Sequence, residues 1–219
     1  MEITQYPLFQ VLSTDDQVYV AKSAITKDVE KGNYLVHQGE SWPNLFIVEK
    51  GQLAAEKDTY DGRTFVAATF KTGDIFWGIS FFIENASMPA NLKAIEDTRL
   101  HLWSKKALEP VIRRNGSFSW ELSRLAVERI QFAGEVLETM TFQPIAVRLA
   151  RLLVGIADSE GKTSIERNLT LDEMAARIGS TREMVCRVLY RFSDEGLIKI
   201  PRTDFKIMDQ ENLMKKAQK

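Results

Sequence analysis

Arg182, Glu183 and Arg187 lie within six residues of one another. If this stretch is helical, all three fall on one side of it. An arginine fork matches the O6/N7 edge of guanine and a glutamate accepts from cytosine N4, each good pair giving roughly 1–3 kcal/mol of base discrimination. The plainer alternative is a solvated face in which Glu183 and Arg187 form an i,i+4 ion pair of about 0.3–0.5 kcal/mol. The surrounding residues, which must position these groups, decide between the two.

They spell two short helices joined by a tight turn. Thr170 with Glu173, and Ser180 with Glu183, each satisfy the S/T-x-x-E pattern that caps a helix start, so the second helix should begin near Thr181. Ala175 is small where two helices would cross, and Gly179 falls where the first must stop in a positive-φ turn. Met174, Ile178, Val185, Val188, Leu189 and Phe192 repeat at three and four residues and predict a shared core, leaving Arg182, Glu183, Cys186, Arg187 and Tyr190 outside. After Gly196 come two short extended runs, Leu197–Ile200 and Phe205–Met208, separated by Pro201-Arg202-Thr203-Asp204, which predict a β-hairpin wing. The pattern is that of a winged helix-turn-helix. The candidate DNA-contacting set is Thr170, Ser180, Thr181, Arg182, Glu183, Arg187, Arg202 and Lys206, with the last two reaching phosphates.

The chain has 219 residues, 44% hydrophobic and 27% charged, as expected of a globular protein of two domains. It shows neither a long apolar run nor a secretion-signal layout, so the expectation is a cytoplasmic protein without membrane contact. Net charge is −1, but residues 1–142 hold 15 Lys/Arg against 19 Asp/Glu while residues 143–219 hold 14 against 11. The positive balance therefore sits with the helix-turn-helix. Cys186 is the only cysteine and there are two histidines, which excludes an internal disulfide and a multi-cysteine cluster. No nucleophile–base constellation or paired metal ligands stand out, so neither an enzyme nor a metal site is expected.

From Val29 to Trp103 short strand-like runs are broken by Gly32, Gly39, Gly51, Gly62 and Gly73. The fold class expected is α+β, with an amino-terminal double-sheet β-roll of jelly-roll type over residues 1–116. Residues 117–142 then form a long helix. One of its stripes, Leu122, Ala126, Ile130, Ala133, Leu137 and Met140, is assigned to a second copy of the helix across a two-fold axis. Gln143-Pro144 breaks the helix, and residues 143–219 form the winged helix-turn-helix, with Asp158–Lys162 read as a polar loop.

This order resembles the cAMP receptor protein/fumarate-nitrate reduction regulator (Crp/Fnr) superfamily. The matching segments are Lys31–Glu40, Leu45–Gly51, Gly73-Asp74 and the helix-turn-helix. The resemblance implies a homodimer on a pseudo-palindromic operator with TGTGA-like half-sites, double-stranded DNA and RNA polymerase as partners, and a sensor domain of the cyclic-nucleotide-binding type. A regulatory module working through protein contacts is the alternative from another class.

The departures concern the effector. By ungapped alignment Met88-Pro89 stands where cAMP-binding members carry Arg-Ser, Trp77-Gly78 stands for Gly-Glu, and Ala133-Gly134 replaces the Thr-Ser pair of the long helix. A buried phosphate without a guanidinium would be left uncompensated, so cAMP is not the expected ligand. Phe76, Trp77, Phe81, Met88 and Ala133 outline either a filled roll or a pocket for an apolar or aromatic effector of unknown identity. Haem would need His37 or His101; a haem-sensing variant stays open, although no cofactor is assigned.

Overall fold

The computed structural model describes residues 5–59, 64–160, 164–166, 169–201 and 204–218. They form two compact bodies, one comprising residues up to Asp58 together with Ala67–Phe132, the other Thr59–Val66 together with Ala133–Lys219.

The first body opens with two short helices, α1 (Pro7–Gln10) and α2 (Thr14–Ser23). Eight antiparallel strands follow: β1 (Ile25–Val29), β2 (Tyr34–Val36), β3 (Asn44–Lys50), β4 (Gln52–Asp58), β5 (Thr64–Lys71), β6 (Ile75–Trp77), β7 (Asn91–Ala94) and β8 (Thr98–Ser104). They make two four-stranded sheets, ordered β1-β8-β3-β6 and β2-β7-β4-β5. Two helices then complete this part of the chain, α3 (Lys105–Arg114) and the 27-residue α4 (Gly116–Phe142).

β3 explains why the roll needs an unbroken apolar run rather than simple alternation. Phe46 and Val48 point into the interior with Leu35, Leu53, Phe70, Leu92 and Leu100. Leu45 and Ile47 point the other way, into a second core of Phe9, Val20, Phe81, Trp103, Leu108, Phe118 and Leu122 beneath the helices. The Leu45–Val48 stretch of β3 is buried on both faces and wholly apolar, which confines the polar residues Asn44, Glu49 and Lys50 to the strand ends. Backbone proximity is set at Gly78, where an added Cβ would come within 2.0 Å of the Trp42 carbonyl oxygen.

In the second body, α5 (Ile145–Glu160) packs on α6 (Leu171–Ile178), α7 (Arg182–Asp194) and α8 (Gln210–Ala217), with a three-stranded sheet of β9 (Ser164–Glu166), β10 (Ile198–Lys199) and β11 (Asp204–Ile207) in the order β10-β11-β9. One expectation needs correcting: Asp158–Glu160 continue α5 rather than forming a loop, while Gly161 and Lys162 lie outside the described residues. The expected hairpin is present, with Ile198 opposite Ile207, and gains a third strand, since β9 pairs with β11 through Phe205 opposite Ile165. No helix among the described residues is long and apolar enough to cross a membrane.

Candidate nucleic-acid interface

The geometry of the reading helix begins with its supports. Thr170 accepts from the Glu173 backbone N–H at 3.1 Å while the Glu173 carboxylate accepts from the Thr170 N–H at 2.7 Å, a complete capping box on α6. α6 stops at Gly179, which is left-handed at φ +58°, ψ +56°. A Cβ there would also meet Met140 Sδ at 2.7 Å. Val185, Val188, Leu189 and Phe192 of α7 are buried against Met174, Ala175 and Ile178 of α6, with Leu149 and Leu153 of α5. That packing fixes which side of α7 faces out.

Arg182, Glu183, Arg187 and Tyr190 are exposed on that side, and Cys186 is half-buried beside them. Glu183 turns back on Thr181: its carboxylate accepts from the Thr181 hydroxyl and from its own backbone N–H, contacts that hold it below the usual carboxylate range, the backbone contribution being the larger. Arg182 donates from Nη1 to Asp172 Oδ2 at 3.0 Å. The Glu183–Arg187 pair weighed from the sequence is thus replaced by these two contacts. Lys206 is exposed on β11, opposite Lys199. Arg202 lies outside the described residues.

One cap is corrected. α7 is capped by Thr181, whose hydroxyl accepts from the Met184 N–H at 3.3 Å, and not by Ser180. The Ser180 Oγ is buried without a hydrogen-bond partner. The extra residue arises because Gly179 ends α6 with the Ser180 N–H bonded to the Ala175 carbonyl at 2.9 Å, which carries the chain one position further before α7 starts.

Two arginines escaped the sequence reading. Arg148 of α5 donates from Nη1 to the Ile178 carbonyl at 2.5 Å and to Met140 Sδ at 2.7 Å, and burial lowers its pKa. It satisfies a carbonyl at the negative end of α6. Arg129 of α4 lies over the Phe70 ring at 5.1 Å and donates to the Ile75 carbonyl at 2.6 Å; burial lowers its pKa against the opposing pull of Asp74 and Glu128. The available signal was its register: Phe118, Leu122, Leu125 and Arg129 step by four, three and four along one stripe.

The aromatic residues expected to share a pocket are divided between two cores. Phe76 and Met88 face the roll interior, where the Phe46, Phe70 and Phe76 rings pack with centroids 4.7–5.7 Å apart. Trp77 and Phe81 lie in the core under the helices, because alternate residues of β6 point to opposite faces. Ala133 is exposed on α4. Of the two histidines, His37 packs on the Tyr34 ring at 4.6 Å, and His101 has ring nitrogens 3.4 Å from Thr26 Oγ1 and from Glu49 Oε2. Burial lowers the His101 pKa, partly offset by Glu49.

The α4 stripe also needs correction. Leu122 is buried in the chain's own core and Met140 packs against Arg148, whereas Ala126 is half-buried. The large exposed apolar residues include Trp120 (71%), Val127 (63%), Ile130 (72%) and Leu137 (68%), at steps of seven, three and seven.

Residues 147–216 match the Crp-like helix-turn-helix domain family and residues 26–115 the cyclic nucleotide-binding domain family. The chain belongs to the Crp/Fnr superfamily. It is accordingly a Crp/Fnr-type DNA-binding transcription regulator. Over 207 residues it is 25% identical to the CRP-like cAMP-activated global transcriptional regulator of Mycobacterium tuberculosis strain H37Rv, covering 90% of this chain and 92% of that protein. The Crp/Fnr fold is shared with a crystal structure described as a transcriptional regulator of the family from Eubacterium rectale, at TM-score 0.88 and 22% identity over 98% of this chain and 99% of that one. The c-di-GMP responsive global regulator of Xanthomonas campestris shares it at TM-score 0.73 and 17% identity, over 89% and 99% of the two chains.

Proposed function

We propose that this Crp/Fnr regulator acts as a homodimer on a pseudo-palindromic operator with TGTGA-like half-sites, and regulates transcription through RNA polymerase. The observation that carries the DNA-reading part is the outward face of α7, with Arg182, Glu183 and Arg187 exposed above a buried Val185, Val188, Leu189 and Phe192. On this reading Arg182 and Arg187 meet guanine edges and Glu183, kept ionised by its contacts, accepts from cytosine. Thr170, Thr181 and Lys206 touch the phosphate backbone. Support for the dimer is the exposed Trp120, Val127, Ile130 and Leu137 series, whose seven- and three-residue steps suit a two-stranded coiled coil. Such a dimer would set two α7 helices on half-sites one helical turn, about 34 Å, apart.

The effector on this reading is not cAMP, although the mycobacterial relative is named as cAMP-activated. Met88 is buried within the apolar roll interior, at 3% exposure, where the phosphate of such a ligand would need a guanidinium. Phe70, Phe76 and Met88 instead suit an apolar or aromatic compound, and the Arg129 guanidinium above Phe70 is already engaged by the Ile75 carbonyl.

The test is a fluorescence-anisotropy titration of labelled duplexes, one bearing the TGTGA palindrome and one of scrambled sequence, with and without cAMP. Expected are preference for the palindrome by a factor of about 10³ or more and no response to cAMP. Equal affinity for both duplexes would sink the operator assignment, and a cAMP-dependent gain would sink the effector assignment.

A further inference from the structure

We propose that Asp172 is a positioning residue for base recognition, fixing the Arg182 guanidinium so that its free edge meets a guanine. This rests on the reading of α7 as the helix that enters the major groove. In a helix-turn-helix the first helix crosses the DNA backbone while the first residues of the second contact base edges. Asp172 is the second residue of α6 and Arg182 the first of α7, so the pair straddles the turn at the point where backbone and base edges are both close.

A carboxylate beside phosphates opposes binding to every DNA sequence alike. Asp172 is nevertheless there, and its Oδ2 accepts from Arg182 Nη1 at 3.0 Å. A guanidinium presents five N–H groups in a planar fork. With Nη1 committed to Asp172, the edge formed by Nε and Nη2 is left to supply the two parallel donors that guanine O6 and N7 accept. Glu183, the other acid at this end of α7, is turned onto Thr181 and its own N–H, with Arg182 only a smaller electrostatic influence on it, so the direct hydrogen bond of Arg182 goes to Asp172.

The pair is exposed in the free protein, at 60% for the arginine side chain and 66% for the aspartate, so it contributes little to folding. Its effect belongs to the complex, where groove water is displaced and a long arginine already held in place loses less rotamer freedom on meeting the base. Asp172 therefore trades general affinity for discrimination. A carboxylate that merely repels phosphate would lower general affinity and leave discrimination untouched.

The experiment uses a duplex selected from a random pool by the wild-type protein, the same duplex with the recognised guanine replaced by adenine, and an unrelated duplex. Wild type, Asp172→Asn, Asp172→Glu and Arg182→Ala are titrated on all three at several salt concentrations, with thermal melting as a check on folding. Asp172→Asn is expected to bind the unrelated duplex more tightly than wild type while losing about tenfold of its guanine-over-adenine preference. Asp172→Glu should keep part of that preference. An equal gain on all three duplexes, or an unchanged preference, overturns the positioning role. If Arg182→Ala loses the preference while Asp172→Asn keeps it, only the role of Asp172 falls. Full preference in Arg182→Ala, or a pool that yields no preferred sequence, removes the α7 reading itself.

Discussion

Two adjacent hydroxyls between α6 and α7 have opposite surroundings. Thr181 accepts from the Met184 N–H and closes one of the open donors at the start of the reading helix, whereas Ser180 Oγ is buried with nothing to bond. Capping residues replaced by alanine cost about 1 kcal/mol, while a buried polar group without a partner carries a desolvation penalty that its removal relieves. Thr181→Ala should therefore lower stability by roughly 1 kcal/mol, and Ser180→Ala should leave it unchanged or raise it slightly. Urea denaturation of the two variants beside wild type measures both; the reverse ranking would return the cap to Ser180. The sequence is ambiguous here because Ser-Thr-Arg-Glu offers two capping residues in succession. Only the extra residue spent in the glycine turn selects the second. Arg148 is harder to read than Arg129, since a long basic side chain normally reaches solvent and only Arg129 carries a hint, its place on the apolar stripe of Phe118, Leu122 and Leu125.

Among the elements, the helix-turn-helix was the most legible, because capping, turn chemistry and apolar register agree over residues 170–192. The amphipathic elements lacking such agreement were missed. β9 has three residues and acquires its identity by pairing with β11, and α8 draws its stability from packing Leu213 and Ala217 into the α5–α7 core. β6 was recognised only as an aromatic stretch: its three residues are too few for alternation to show which ring faces which core. The turn itself gives a sharp test. Gly179 combines positive φ with a sulfur atom 2.7 Å from where a Cβ would stand. A left-handed non-glycine residue costs about 1–2 kcal/mol before any clash is counted. Gly179→Ala should thus destabilise by at least that much, and Gly179→Asn by less, since asparagine tolerates the left-handed region. Calorimetric unfolding showing no loss in the alanine variant would mean that Met140 and Arg148 do not hold the turn as described.

For the whole molecule, the near-neutral charge of −1 means that long-range attraction contributes little to finding DNA, and the positive balance of the carboxyl-terminal part is small. In the proposed dimer, affinity for a specific site would come instead from two reading helices bound together. Once one half-site is occupied, the second α7 binds at an effective concentration set by the linkage, a gain of about 10²–10⁴ over a single half-site. Ile130 and Leu137 lie one heptad apart at the carboxyl-terminal end of the exposed α4 series and belong to none of the three buried clusters of the described residues, so charging them attacks association without disturbing the fold. The double variant Ile130→Glu/Leu137→Glu should sediment as a monomer, melt near the wild-type temperature, and lose about 10²–10⁴ in affinity for a full palindrome. Its affinity for an isolated half-site should stay close to that of wild type. Analytical ultracentrifugation with anisotropy titrations on full and half operators separates these quantities. A monomeric variant that retains full-palindrome affinity would show that each α7 reads its site independently.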